Sequence, residues 1–350
     1  MKITILCPHV RIAGGVRAIL TYADRLVARG HAVEVIVPAR GTIRAVGRSL
    51  SGVGPSWIPG FRARVRWVAR WQADALPAAD VLMATAWQSA PVVADAPASC
   101  GRKFYLVQHY ESLYHGSPEA VDATYRLPLA KIVISTWLAG IMRDRFRAHA
   151  TVLVTPVDRA LFHRVPTSPS GPGPRVLMLH HSYEWKGVAD GIEAAARVKR
   201  AVPGLRLVGF GVKPPREASP YDEFHADPPQ EDLARLYSSC EIYLCPSWDE
   251  GLAMPPMEAM ACGAALATYD NGGCRDYARD GETALVARRR DIAELSAKLQ
   301  RLATDVPFRD KIATAGQQFV TTAFDWGRAV ERMEELFAQD TLPNSARRTL

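Results

Sequence analysis

Short apolar runs rich in β-branched residues alternate with longer stretches of helical period, and that alternation leaves few folds open to this chain. Residues 3–7 stop at Pro8 and read as a buried strand. Helical spacing follows in Val16, Ile19, Leu20, Ala23, Leu26 and Val27, closed by Gly30 ahead of a second strand at 33–37. Gly14-Gly15 sits at the first strand-to-helix turn of this β-α-β unit. Further short strands are predicted at 80–85, 104–107, 132–135 and 152–154, separated by helical stretches. Buried strands joined by helices form a mostly parallel, doubly wound α/β sheet.

The pattern then restarts. Residues 164–174, rich in Pro, Ser and Gly with no apolar period, read as a linker. Strands are expected at 175–179, 205–209, 242–245 and 265–268, and helices at 188–201, 232–239, 256–262 and 292–303. A length of 350 residues suits two such domains. The expected division is 1–163, the linker 164–174, a second domain 175–325, an amphipathic helix 326–339 and a loose tail 340–350.

Charge is uneven. Residues 1–163 hold 20 basic and 10 acidic residues, whereas 164–350 hold 23 and 26. The first half should therefore favour an anionic membrane, a polyanion or an acidic substrate. Residues 40–79 concentrate this charge in Arg40, Arg44, Arg48, Arg62, Arg64, Arg66 and Arg70 against Asp74 alone, with Trp67 and Trp71 interleaved. The segment reads as a membrane-surface contact, an acceptor groove or a solvated basic face. Nucleic acid is not expected, since no recognition motif accompanies the charge. Six cysteines form no Cys-x-x-Cys and no zinc spacing, which suits a reduced cytoplasmic chain. No signal-peptide pattern and no run of about 18 apolar residues is seen.

Residues 246–263, Pro-Ser-Trp-Asp-Glu-Gly-Leu-Ala-Met-Pro-Pro-Met-Glu-Ala-Met-Ala-Cys-Gly, carry the chemistry. A strand ends at Cys245, Pro255 and Pro256 suit a first helical turn, and Gly263 suits the residue that ends it. A helix start at the C-terminal edge of a parallel sheet presents free N–H groups to phosphate. Glu250 and Glu258, eight positions apart, are expected to flank that start, with Glu258 in the first turn facing the same crevice. Carboxylates there suit sugar hydroxyls beside a phosphate.

Glu-x7-Glu followed by Ala-Met-Ala-Cys-Gly resembles the signature of retaining GT-B glycosyltransferases, specifically glycosyltransferase family 4. The resemblance runs over nearly the whole chain, through Gly14-Gly15, Val157-Asp158, Trp185-Lys186-Gly187, Asn271-Gly272-Gly273 and Asp280-Gly281. It implies two Rossmann-like domains facing across a cleft, the last helix crossing back to the first. It also implies that Glu258 binds the ribose of a nucleotide-sugar and Glu250 the donor sugar. Amides of Gly251, Leu252 and Ala253 would hold the diphosphate or sugar, and Lys186 would neutralise the leaving nucleotide. Gly14 and Gly15 would let backbone approach the phosphates. His109 would stand near the reacting sugar, with Tyr110 and Glu111 towards the acceptor. Where the family usually carries an arginine before its lysine, this chain has His180 and His181, and Arg17 or a protonated His181 could compensate. The pieces 183–186 and 108–111 resemble those of bacterial surface-polysaccharide transferases, including rhamnosyltransferases.

The reaction so implied moves a sugar from a nucleotide-sugar to a glycan, lipid-linked or small-molecule acceptor, with retention. No Asp-x-Asp is present, so metal independence is expected, with no cofactor. The alternatives are a nucleotide-sugar-binding regulator or scaffold at the membrane surface, and a GT-B epimerase or hydrolase. The expected location is the cytoplasm, or the inner face of the plasma membrane.

Overall fold

The computed structural model describes residues 1–339 apart from 40, 51, 53, 168–170, 172 and 216–218, together with the backbone alone of 49 and 50. Arg40, part of the expected linker and the expected tail 340–350 lie outside the described residues. The chain divides into two compact units, Met1–Thr155 with Gly327–Leu350, and Pro156–Trp326.

The first unit runs β1 (Lys2–Leu6), α1 (Gly14–Ala28), β2 (Ala32–Pro38), α2 (Thr42–Leu50), β3 (Arg64–Val68), β4 (Val81–Ala84), α3 (Ala90–Asp95), β5 (Arg102–Val107), α4 (Pro118–Tyr125), β6 (Ala130–Val133), α5 (Thr136–Phe146) and β7 (Ala150–Val152). Its strands form one parallel sheet ordered β3-β2-β1-β4-β5-β6-β7. Ile5, Leu6, Val35, Ile36 and Val37 have no exposure, as expected of strands covered on both faces.

The second unit runs β8 (Arg175–Leu179), α6 (Val188–Ala201), β9 (Arg206–Gly211), β10 (Glu223–Ala226), α7 (Gln230–Ser238), β11 (Ile242–Cys245), α8 (Met254–Ala261), β12 (Ala265–Tyr269), β13 (Leu285–Ala287), α9 (Ile292–Thr304) and α10 (Val306–Ala323). Its parallel sheet is ordered β10-β9-β8-β11-β12-β13. Val176, Met178, Ile242, Leu244, Ala265 and Ala267 form its centre.

The division differs from the expected one. The second unit starts at Pro156, ahead of the Pro/Gly stretch rather than after it. Phe162 is buried against Tyr237 of α7, with ring centroids 6.0 Å apart, and the Val165 N–H donates to the Ser238 hydroxyl at 3.1 Å. Residues 156–165 are thus packed onto the second unit, and the division between units falls before them.

The last helix, α11 (Trp326–Ala338), packs on the first unit. Phe337 meets Phe104 of β5 at 5.0 Å, and Glu334 accepts from Arg29 Nε at 2.8 Å and lies 2.7 Å from His31 Nε2.

The basic segment is also corrected. Residues 64–68 alternate in period two and form the edge strand β3 beside β2. Arg62 forms a two-pronged ion pair with Asp24, at 2.6 Å from Nη2 to Oδ2, and Arg64 and Arg66 lie 3.5 and 3.2 Å from Glu34. Trp67 is buried under the Arg48 guanidinium, and the Trp71 indole N–H donates to the Ile36 carbonyl at 3.1 Å. Trp67 is therefore spent on packing, while Trp71 is half-buried with its indole N–H engaged. Arg70 is exposed. Among the described residues no helix is long and apolar enough to cross a membrane.

Phe337→Ala should cost about 3–5 kcal/mol of stability, the usual loss for emptying a buried phenyl site. Chemical denaturation should show it, while Arg332→Ala, whose partner Glu335 lies on the same exposed helix face, should melt like the parent.

Candidate functional site

In the second unit the two middle strands β8 and β11 are neighbours, so the segments that follow them emerge side by side. The segment after β8 turns at Glu184–Lys186 and starts α6; the one after β11 runs to α8. A backbone hydrogen bond from the Trp248 N–H to the Trp185 carbonyl, 2.7 Å, clips them together. Gly187 is required at this junction: its φ is +61°, and a Cβ there would lie 2.0 Å from the Pro246 carbonyl oxygen. The Trp248 indole N–H and the Tyr269 hydroxyl both donate to Asp190 at the start of α6, at 2.9 and 3.3 Å.

This clip brings Lys186 onto Glu250. The ammonium donates to Oε1 at 2.6 Å, and the carboxylate is nine-tenths buried. Both line a narrow cleft with Leu179, Cys245, Ala253 and Pro256. The loop carrying Glu250 is fixed from the far side. Its N–H donates to the Asn271 carbonyl at 2.9 Å, and its carbonyl accepts from the Gly273 N–H at 3.1 Å. A Cβ on Gly273 would come within 2.6 Å of Gly251 and Leu252 backbone, so glycine is needed for this close approach. The Asn-Gly-Gly turn is thus the floor of the Glu250 loop. Gly251 and Leu252 are buried, and Ala253 enters α8 with φ +66°.

Two expectations for Glu258 are corrected. The helix begins at Met254, earlier than the prolines suggested, so Glu258 lies beyond the first turn. It is also buried, accepting from the Tyr237 hydroxyl at 3.1 Å, and is not among the residues lining the cleft with Glu250.

Burial disfavours a positive charge on both histidines. His180 Nδ1 lies 3.0 Å from the Tyr221 hydroxyl, and burial lowers its pKa. Burial and, next, the charge of Lys186 lower that of His181. A protonated His181 is therefore disfavoured beside the lysine it was expected to assist. The sequence reading gave no role to a ledge of rings here. Tyr183 stacks on Trp185 at 4.3 Å, meets the His181 ring at a tilt at 4.4 Å, and is 45% exposed. Its signal in the sequence was the alternation His-Ser-Tyr-Glu-Trp-Lys. A larger cavity of about 680 Å³ lies between β10 and α7, lined by Arg175, Arg206, Glu223 and His225, and holds none of the candidates.

In the first unit, α1 begins at Gly14, and its first turn contains no acidic residue. Gly14 and Gly15 are exposed, and among the described residues nothing beyond its chain neighbours and its own helix backbone comes within 4 Å of a Cβ built at Gly14. Arg17 lies half-buried in that first turn. A Cβ at Gly15 would stand 3.2 Å from the Gln108 amide, so the start of α1 lies beside the segment that carries His109. His109 is half-buried, with its ring 6.1 Å from that of Tyr114. Tyr110 and Glu111 do not form an open acceptor face. Tyr110 is buried, with its ring about 6 Å from those of Tyr125 and Phe146. The Glu111 carboxylate accepts from the Trp87 N–H at 3.1 Å, and burial pushes its pKa up to about 7. The chain turns at Glu111–Leu113, so consecutive side chains point inward instead of alternating.

Residues 162–319 match the family model described as glycosyl transferases group 1. The O-antigen biosynthesis protein RfbC of Myxococcus xanthus is 28% identical over 92% of this chain, and the match covers 26% of that protein's length. Sucrose-phosphate synthase of Thermosynechococcus elongatus matches in structure with a TM-score of 0.75 at 17% identity, over 97% of this chain and 98% of that one. Anabaena HepE, solved with UDP and glucose, matches with the same score and identity, over 97% and 99%. At such identity these two speak for the fold. Residues 162–319 thus resemble the glycosyl transferases group 1 family, and the chain is built as two parallel-sheet, Rossmann-like units, the fold it shares with its GT-B structural neighbours.

Proposed function

We propose that this chain is a retaining, metal-independent glycosyltransferase that moves a sugar from a nucleotide-sugar to a glycan or lipid-linked acceptor. The observation that carries the reading is the Lys186–Glu250 pair at the C-terminal edge of the second sheet, beside the start of α8. The cleft these residues line is narrow and Glu250 already engages the Lys186 ammonium, so a donor phosphate that binds Lys186 takes the place of Glu250 as its partner. That exchange frees the Glu250 carboxylate to accept from sugar hydroxyls. When the bond between C1 and the phosphate oxygen breaks, negative charge grows on the nucleoside diphosphate, where Lys186 and the amides of 251–253 stabilise it. The acceptor oxygen then bonds to C1 on the face the phosphate leaves, and its proton passes to that phosphate. Lys186 takes the part a metal plays elsewhere. Glu258 is assigned to the ribose, which it can reach only once its present cover at Tyr237 opens. Gly14, Gly15 and Arg17 are assigned to phosphate approach and His109 to the reacting sugar. The polysaccharide context of RfbC supports a glycan or lipid-linked acceptor.

A second reading is a nucleotide-sugar-binding regulator with little turnover. The lowered pKa of His180 and of His181 favours it, because burial then works against a second cation beside the lysine that faces the diphosphate. Donor consumption with and without acceptor, in EDTA, separates the two. The enzyme turns over only with acceptor present and loses nothing to EDTA, and proton NMR of the product reads retention. Binding without turnover supports the regulator, and acceptor-independent breakdown or isomerisation of the donor supports a hydrolase or epimerase.

Lys186→Ala should lower the transfer rate roughly a hundredfold to a thousandfold, as loss of one aimed donor does elsewhere. Glu258→Gln should weaken nucleotide-sugar binding about tenfold by calorimetry. Transfer at the parent rate in Lys186→Ala sinks the assignment.

Peripheral membrane contact is reassigned to α2. Ile43 and Val46, three positions apart, are 91% and 53% exposed with Arg44 between them. Ile43→Ser with Val46→Ser should reduce sedimentation with phosphatidylglycerol vesicles, and Arg64→Ser should not. Equal sedimentation of all three proteins removes α2 from the role.

A further inference from the structure

The turn that carries His109 is gripped from one side by α4. Asp122 and Tyr125 lie three positions apart and so share one face of that helix. Between them they engage four consecutive residues. The Tyr125 hydroxyl accepts from the Glu111 N–H at 3.0 Å and donates to the His109 carbonyl at 3.3 Å. Asp122 Oδ1 accepts from the Ser112 hydroxyl and, at 3.3 Å, from the Tyr110 hydroxyl.

The Tyr125 hydroxyl has little freedom to go elsewhere. The residue has no exposure. Its ring stacks on that of Tyr105 at 6.0 Å and meets that of Phe146 at 5.0 Å. The helix beneath is fixed in turn, with Ser117 capping it by accepting from the Ala120 N–H at 3.2 Å. On the far side the Trp87 N–H holds the Glu111 carboxylate. A short turn offers few hydrogen bonds of its own, so its backbone groups depend on such outside partners.

We propose that Tyr125 and Asp122 are positioning residues for His109. They touch no substrate; Tyr125 holds the His109 carbonyl and the Glu111 amide, and Asp122 the hydroxyls of Tyr110 and Ser112, so that the turn leaving the imidazole is held in one place. The inference rests on the reading above that His109 works at the reacting sugar. A group held in place by the fold loses activity steeply when its support loosens, even where the fold survives.

Tyr125→Phe deletes the hydroxyl and keeps the stacked ring. Its kcat for sugar transfer should fall about ten- to a hundredfold while the donor KM stays within about twofold. The same change made in His109→Ala should add less than about a twofold further loss, because the group it positions is gone. Asp122→Asn, which retains an acceptor oxygen, should keep most of the rate that Asp122→Ala loses. Parent kcat in Tyr125→Phe, or an equal further loss in the His109→Ala background, overturns the proposal. One readout needs no turnover: the Glu111 amide should exchange with deuterium at least about tenfold faster in Tyr125→Phe. Unchanged exchange overturns the grip itself. A parent protein that transfers no sugar, or a His109→Ala variant at the parent rate, instead removes the function assigned above, and the exchange measurement still decides whether α4 holds the turn.

Discussion

Lys186 and Glu250 stand 64 positions apart in the chain and 2.6 Å apart in space, and the candidate chemistry follows from what makes them meet. In the second sheet the chain builds outward from β8 through β9 to β10, then returns to lay β11 on the other side of β8. Two segments that leave in opposite directions open a crevice at their strand ends. The first sheet does the same at β1, where β2 lies on one side and β4 on the other. Gly14 and Gly15 open α1, the next element after β1. Each unit therefore places its candidate residues at its own point of reversal. Backbone clips then convert a general location into a defined one: Trp248 onto Trp185, Glu250 onto Asn271, and Gly273 under Gly251.

The sequence made the buried strands legible because their residues have no polar alternative. Arg175–Leu179 and Ile242–Cys245 stand where the apolar runs put them, and α6 spans Val188–Ala201 as its period implies. The edge strand β3 was not legible. Its order Arg-Val-Arg-Trp-Val alternates as a half-exposed strand must, but the arginines also fit a basic surface helix or groove. Only the acids opposite them, Asp24 and Glu34, settle the matter, and those lie 30–38 positions earlier in the chain. The edge strand β10 was missed for a similar reason, since Glu-Phe-His-Ala has too few apolar residues to read as buried.

The site divides along the same line. Residue types at fixed spacing pointed to Lys186, Glu250 and the loop 251–253, since the loop and helix are local in sequence. The direction of a side chain is not local. Glu258 needs the true start of α8 and the position of Tyr237 before its burial can be known. Tyr110 and Glu111 turn inward because the chain leaves β5 in a tight turn, and no periodicity announces that over three residues. The brace from α4 is invisible in the sequence for a simpler reason: a buried tyrosine reads as core, and only geometry shows that its hydroxyl joins two backbone groups.

A single lysine facing a diphosphate would be a weak clamp in water, where charges a few ångströms apart interact by only about 1 kcal/mol. Its setting changes the balance. Glu250 is nine-tenths buried and Lys186 about four-fifths, so their field is less screened than at an open surface. A histidine made cationic beside Lys186 would repel it, and burial already disfavours that charge on His181. A neutral His181 leaves the full charge of the ammonium for an incoming phosphate and offers its ring to Tyr183 instead. Read this way, replacing an arginine with the His180-His181 pair exchanges a second cation for an aromatic wall. Binding would then lean on stacking against Tyr183 and Trp185 as well as on charge. Affinity for a nucleoside diphosphate should accordingly depend less on salt than a two-cation clamp requires.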